Sequence, residues 1–137
     1  MIWSRIASLV LAATLTVSFA ACGDDNSPTT PTPPTGSVTE TFTGTLTVNG
    51  GATHQFRPSG AGPVTVTLTS LTPAARLGFS IGNWNGTACS AVLSNDFALV
   101  GDVLNGTASA AATLCARIYD TGYMNSSVEY AITVTHP

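Results

Sequence analysis

The sequence of 137 residues contains no lysine and only four arginines. Charged residues make up 8 % of the chain, and the formal net charge at neutral pH is −3. A protein that binds nucleic acid usually carries a patch of lysine and arginine that neutralises phosphates. The sequence has too few basic residues to form such a patch, so we expect no nucleic-acid partner.

The sequence also lacks the short motifs of common enzymes. It contains no Gly-x-Ser-x-Gly, His-Glu-x-x-His or phosphate-binding loop. Its two histidines, His54 and His136, could supply the base of a Ser-His-Asp arrangement. However, His54 shares a predicted strand face with Phe56, and His136 lies one residue from the end of the sequence. We therefore expect a protein that is not an enzyme.

Metal-binding patterns are equally sparse. No cluster of cysteine and histidine has the spacing of a zinc site. Asp96, Asp102 and Asp120 are candidates for holding calcium, although no EF-hand or repeat organises them. Aspartates beside turns more often accept hydrogen bonds from nearby backbone, and Asp120 before Thr121-Gly122 fits that interpretation. We expect no cofactor, with calcium as the open alternative.

Residues 1–21 have the layout of a signal peptide. Arg5 is followed by an uncharged apolar segment, 6–19, which is too short to span a bilayer comfortably as a helix. The next residues, Phe19-Ala20-Ala21-Cys22, resemble the lipobox of bacterial lipoproteins, usually Leu-Ala-Gly/Ala-Cys. The resemblance implies cleavage after residue 21 and acylation of Cys22, with palmitate among the attached chains. An ordinary cleaved signal is the alternative.

Residues 22–37 form a polar segment rich in proline and threonine. It has no large apolar side chain, so we expect a disordered and largely extended linker. Gly23 follows the predicted lipid site, whereas an aspartate there favours inner-membrane retention in enterobacterial lipoproteins. We therefore expect an exported protein anchored to the outer membrane and facing the periplasm or the cell surface.

The sequence contains three cysteines, Cys22, Cys89 and Cys115. If Cys22 carries lipid, the other two remain, and an oxidising envelope compartment allows them to pair. A disulfide between them would close a loop of about 27 residues and contribute about 3 kcal/mol. Two buried thiols are the alternative.

Residues 38–137 are one domain by length and alternate between apolar and polar side chains. Turn residues such as Asn49-Gly50-Gly51 separate the segments. In the less regular middle we predict short strands over 91–93, 97–103 and 108–112. Turns are predicted at Asn95-Asp96, between the first two strands, and at Asn105-Gly106. Seven to nine short strands predict an all-β fold, an antiparallel β-sandwich or jelly-roll-like domain.

The same domain resembles the bacterial pre-peptidase C-terminal domain. Thr113–Gly122 is similar to the family's "VRVYD.G" strand, and Val128–His136 is similar to its final "Y.I.V" strand. His54-Gln55-Phe56 and 77–82 occupy the places of two earlier strands. The resemblance implies a jelly-roll-like β-sandwich without catalytic residues. Members usually sit at the end of secreted peptidases, and the present sequence includes no peptidase domain.

Two aromatic residues lie in predicted loops, Trp84 in a Gly/Asn-rich loop and Tyr123 in another. Exposed loop aromatics can stack on sugars or anchor a peptide, and they can also simply cover the end of a sandwich. We expect a membrane-anchored, non-catalytic module that binds an envelope protein, a peptide or a glycan. The alternatives are a carbohydrate-binding module that uses Trp84 and Tyr123, and a purely structural envelope protein.

Overall fold

The computed structural model describes residues 36–137, so the signal segment, Cys22 and most of the linker lie outside the described part. The described residues form eight β-strands. The strands are β1 (Val38–Leu46), β2 (Gly51–Phe56), β3 (Gly62–Thr72), β4 (Leu77–Trp84), β5 (Cys89–Ala98), β6 (Val103–Ala108), β7 (Leu114–Tyr119) and β8 (Val128–His136). Within 36–137 there is no helix of the length and apolar character that crossing a membrane requires.

The strands form two four-stranded sheets with the orders β1-β8-β3-β6 and β2-β7-β4-β5. Every paired strand is antiparallel to its neighbour. The prediction of an all-β antiparallel sandwich with seven to nine strands is therefore confirmed. We call β1-β8-β3-β6 the first sheet and β2-β7-β4-β5 the second sheet.

The core lies between the two sheets and follows the predicted alternation. In β8, Val128, Tyr130, Ile132 and Val134 are buried, whereas the residues between them are exposed or half-buried. Strand β4 is different, since its outward-facing residues from Gly78 to Gly82 are buried as well. Burial of apolar surface contributes about 25 cal/mol per Å², which makes this shared interior the main source of stability.

The predicted turns in the middle of the chain are wrong. Strand β5 continues through Asn95-Asp96, because the Asn95 side chain accepts a hydrogen bond from the Phe97 backbone N–H (3.0 Å) beside a β-bulge. Asn105-Gly106 lies inside β6, and the actual turn covers 99–102, where Gly101 has a φ of 98°. Residues 109–112, predicted as strand, belong to the connection between β6 and β7.

Because successive strands run in opposite directions, the connections gather at the two ends of the sandwich. The turns β1–β2, β3–β4, β5–β6 and β7–β8 lie at one end, which we call the β5–β6 end. The connections β2–β3, β4–β5 and β6–β7 lie at the opposite end. Loop residues that are far apart in sequence are thereby brought together, and residues of different ends are separated.

Candidate functional site

Cys89 and Cys115, the two cysteines predicted to pair, form a disulfide between β5 and β7. Strand β4 lies between these strands in the sheet order. Neighbouring strands are about 4.8 Å apart, so strands two places apart should be roughly 10 Å apart. The Cα atoms of the two cysteines are only 5.8 Å apart. The first residues of β5 therefore leave the plane of the sheet and lie over β4.

Gly82 on β4 makes this crossing possible. A Cβ atom at Gly82 would lie 2.0 Å from the carbonyl oxygen of Ser90 on β5, a distance that no real side chain allows. The turn that follows is fixed by Asn85, whose side-chain oxygen accepts hydrogen bonds from the backbone N–H of Thr87 (2.9 Å) and Ala88 (2.8 Å). The β4–β5 turn is thus held over the outer face of the second sheet.

The crossing creates a shallow depression of about 460 Å³ on the outer face of the second sheet. We call it the outer-face depression. It is lined by Gly51, Thr53, Trp84, Thr87, Ala88, Cys89 and Arg117. Four strands and one turn therefore supply its walls, and the predicted binding residue Trp84 is part of it.

Arg117 is the charged residue of this depression. Its guanidinium carbon lies 5.3 Å from the centre of the Tyr119 ring, an arrangement typical of a cation–π contact. The Tyr119 hydroxyl in turn donates a hydrogen bond to Asp96. Burial and this hydrogen bond raise the pKa of Tyr119 to about 12, so the phenol keeps its proton at neutral pH. Arg117 therefore rests on a neutral ring whose position is fixed.

Several large apolar side chains are exposed at or beside the β5–β6 end, and we call five of them the apolar cluster. Their exposed fractions lie between 45 % and 55 %. The members are Phe97, Leu99, Val100, Val103 and Tyr123. The rings of Phe97 and Tyr123 are 5.6 Å apart, and the guanidinium of Arg76 lies 5.9 Å from the Phe97 ring. The cluster is thus assembled from two connections and the adjoining strand ends, with its two aromatic rings in contact.

The turn that carries Leu99 and Val100 is held in place by hydrogen bonds. The Gly101 N–H donates to the carbonyl of Leu68 (2.8 Å), and the Leu68 N–H donates to the carbonyl of Asp102 (3.0 Å). The Asp102 carboxylate also accepts a hydrogen bond from the Leu99 N–H (3.1 Å). The two apolar side chains are therefore presented to solvent by a turn that is fixed to β3.

Asp120 fixes the neighbouring β7–β8 connection. Its carboxylate accepts hydrogen bonds from the backbone N–H of Asn49 (2.8 Å), Gly122 (2.8 Å) and Met124 (3.3 Å). These hydrogen bonds, that of Asn49 first, hold the pKa of the Asp120 carboxyl below its usual value. The expectation that Asp120 caps a turn is confirmed, and the adjacent Tyr123 is placed by this cap.

The residues predicted to bind a ligand do not form one site. Trp84 ends β4, whereas Gly78 on the same strand pairs with Tyr119, just before the connection that carries Tyr123. Six strand residues separate these positions, which corresponds to about 20 Å. Trp84 and Tyr123 therefore lie on different surfaces, and one small sugar cannot contact both.

The three aspartates proposed for calcium are also separate. Among residues 36–137 no group of three or more histidine, cysteine or acidic side chains comes together. Asp96 accepts the Tyr119 hydroxyl, Asp102 accepts the Leu99 N–H, and Asp120 caps its connection. Each carboxylate thus has its own hydrogen-bond partner within the fold.

The two histidines occupy packed positions near the β1 edge of the first sheet. The Nε2 atom of His54 lies 2.8 Å from the Tyr130 hydroxyl, and its ring stacks on Phe42 at 4.8 Å. The Nε2 atom of the buried His136 lies 2.8 Å from a carboxylate oxygen of Glu40. Both rings contribute to packing between the sheets.

The environment of His54 predicts a loss of stability in mild acid. Burial lowers the pKa of His54 below its ordinary value of 6.5. As the pH falls below about 6.5, the unfolded chain therefore takes up a proton that the folded chain does not, and unfolding becomes easier. We expect the thermal unfolding temperature, followed by circular dichroism, to fall between about pH 7 and pH 5. The His54→Gln variant should show a smaller fall, and an unchanged fall would contradict this role.

Arg117 and the apolar cluster were not predicted from the sequence. Arg117 stands in the middle of a regular strand, where nothing local indicates that a turn from elsewhere reaches it. The predicted strand over 97–103 is interrupted in the structure, because β5 ends at Ala98 and β6 begins at Val103. The sequence Gly101-Asp102 after two apolar residues was the available signal for a turn.

Comparisons with known proteins give no family. No protein-family model matches the chain, and no curated protein matches it. Among solved structures, it is similar to PliG from Aeromonas hydrophila, a periplasmic inhibitor of g-type lysozyme. The identity is 15 %, the TM-score is 0.54, and the match covers 73 % of this chain and 87 % of PliG. This likeness concerns the fold alone.

A second solved structure, of Bacillus endospore appendages that form disulfide-linked pili, matches more distantly. The identity is 12 % and the TM-score is 0.39, with 73 % of this chain and 87 % of that chain covered.

Proposed function

We propose that this protein is an exported, non-catalytic binding protein of the bacterial envelope that holds a protein partner through the apolar cluster. A lipid on Cys22 attaches it to the membrane, and residues 22–37 serve as the spacer. The observation that carries the proposal is a set of five large apolar side chains exposed at or beside one end of the sandwich. The lipobox supports the attachment.

Exposed apolar side chains that stand singly are ordinary on a protein surface, but a contiguous patch indicates an interaction site. The apolar cluster contains two aromatic rings in contact and an arginine beside them. Aromatic and arginine side chains are enriched at protein–protein interfaces. This composition therefore favours a protein partner.

The turn that carries Leu99 and Val100 is held in place before a partner binds. Binding costs free energy when loops must be ordered, and a loop that is already fixed avoids that cost. The hydrogen bonds of Gly101, Leu68 and Asp102 hold Leu99 and Val100 in place before any partner arrives. The fold likeness to PliG supports a protein partner of the lysozyme kind, and a g-type lysozyme is the first candidate.

The proposal predicts that the apolar cluster is needed for inhibition of a g-type lysozyme. We expect the purified protein to slow lysis of cell walls by the enzyme. Leu99→Ser combined with Val100→Ser should weaken this inhibition at least about tenfold, because apolar contact area at the centre of an interface is lost without a change of charge.

Val38→Ser is the matched control, since Val38 is equally exposed at the far end of β1. It should inhibit like the unmodified protein, and all variants should unfold at the same temperature. Lysis that proceeds unchanged with the unmodified protein would remove the lysozyme as partner. Equal inhibition by the Leu99/Val100 variant would remove the apolar cluster as the contact surface.

A further inference from the structure

The outer-face depression combines the aromatic ring of Trp84 with the guanidinium of Arg117, and it shares no residue with the apolar cluster. The depression has a volume of about 460 Å³ and is open to solvent. Trp84 is half-buried, whereas Arg117 and Thr53 are exposed. The depression is therefore a second candidate site, separate from the protein contact proposed at the β5–β6 end.

Arg117 is positioned for an anion that the domain itself does not provide. It forms no salt bridge with any of residues 36–137. The Tyr119 ring lies beside its guanidinium, and a Cβ atom at Gly51 would approach its Nη2 atom to 3.2 Å. Gly51 thus leaves room for the guanidinium to lie across β2. A planar guanidinium fixed in this way can offer two N–H groups to a carboxylate.

Trp84 provides the apolar contact of the depression. An aromatic ring can stack on the C–H face of a sugar, and nearby hydroxyl groups can then bond the sugar's own hydroxyls. Thr53 and Thr87 place two such hydroxyl-bearing side chains in the same lining. The disulfide of Cys89 with Cys115 and the Asn85 cap fix the turn that carries this wall.

We propose that the outer-face depression binds a pyranose that bears a carboxylate, as part of an acidic saccharide. Trp84 stacks on the ring, and Arg117 bonds the carboxylate. Residues 38–137 contain three arginines and five acidic side chains, a formal charge of 3 − 5 = −2, so long-range attraction does not help. Recognition therefore depends on the local contact with Arg117, and binding should weaken as salt concentration rises.

Calorimetry with the full-length protein tests the proposal, with oligogalacturonate as the probe and its methyl ester as the uncharged match. We expect binding of the acid form and at least about tenfold weaker binding of the ester, because a charged hydrogen-bond pair is lost. Arg117→Gln should bind the acid form at least about tenfold more weakly, and it should no longer distinguish acid from ester. Arg57→Gln, a change at another exposed arginine, should bind like the unmodified protein.

Trp84→Ala should weaken both forms of the saccharide, and Trp84→Phe should recover most of the binding if the alanine variant unfolds early. The Leu99/Val100 serine variant should keep the full affinity for the saccharide, so this site and the proposed protein contact are tested separately. Absence of binding to the acid form at millimolar concentration would overturn the proposal. Equal affinity for acid and ester, or unchanged binding by Arg117→Gln, would overturn it as well.

Discussion

Replacing Cys22 by alanine is expected to release the protein from the membrane fraction completely. In the lipobox interpretation the thiol of Cys22 carries diacylglycerol, and the new N-terminus carries a further acyl chain. Each buried CH₂ group contributes about 0.8 kcal/mol, so two or three chains give stable anchoring where one chain would be marginal. Without the thiol the diacylglycerol cannot be attached, so the palmitate label should be lost together with the membrane association. Fractionation of cells and labelling with radioactive palmitate measure both effects.

The matched control for this experiment is the pair Cys89→Ala and Cys115→Ala. These changes remove the disulfide and leave the lipid site intact, so the protein should stay in the membrane fraction and keep its palmitate label. A Cys22→Ala protein that remains in the membrane fraction would contradict the anchor. Unmodified protein found without palmitate would favour the ordinary cleaved signal.

The sandwich could be predicted from the sequence because most of its strands follow a period of two. In β8 the residues from Val128 to His136 alternate between core and surface along their whole length. In β3, Val64, Val66 and Leu68 do the same. A residue period of two fixes which face of a strand is buried, so the fold class follows from local pattern alone.

The middle of the chain could not be predicted because turn residues there serve other purposes. Asn95 stabilises a β-bulge rather than a reversal of the chain, and Gly106 lies within a strand. The turn at 99–102 depends on hydrogen bonds with Leu68, which is about thirty residues away in sequence. Such long-range partners override local preferences, and the one local signal, Gly101-Asp102, is weaker than the turn signals of Asn95-Asp96 and Asn105-Gly106.

The candidate surfaces were predictable only in part. Trp84 was predicted as a binding residue, and it does line a depression. Its neighbours there come from β2 and β7, and they meet it because β5 crosses over Gly82. A crossing of this kind depends on tertiary structure, so Arg117 could not be paired with Trp84 from the sequence. Tyr123 belongs to the apolar cluster instead, together with residues that were assigned to a strand.

Removing the disulfide by Cys89→Ala and Cys115→Ala is expected to lower the free energy of unfolding by about 3 kcal/mol. The bridge closes a loop with a sequence separation of 26 residues, and its loss gives the unfolded chain more conformations. In a domain of this size the unfolding temperature should fall by roughly 15 °C. Alanine is preferred to serine, because Cys115 is fully buried and a hydroxyl there would add a buried polar group. Denaturant titration measures the change.

Reductant supplies the control for this prediction. Treatment of the unmodified protein should reproduce the loss of stability, and the alanine variant should not respond to reductant at all. A variant whose unfolding free energy stays within about 0.5 kcal/mol of the original would show that the crossing is held by other contacts. The disulfide should also matter locally, because it fixes the turn that carries Trp84 over the second sheet. Binding of acidic saccharide should therefore weaken in the folded alanine variant, while inhibition through the apolar cluster should persist.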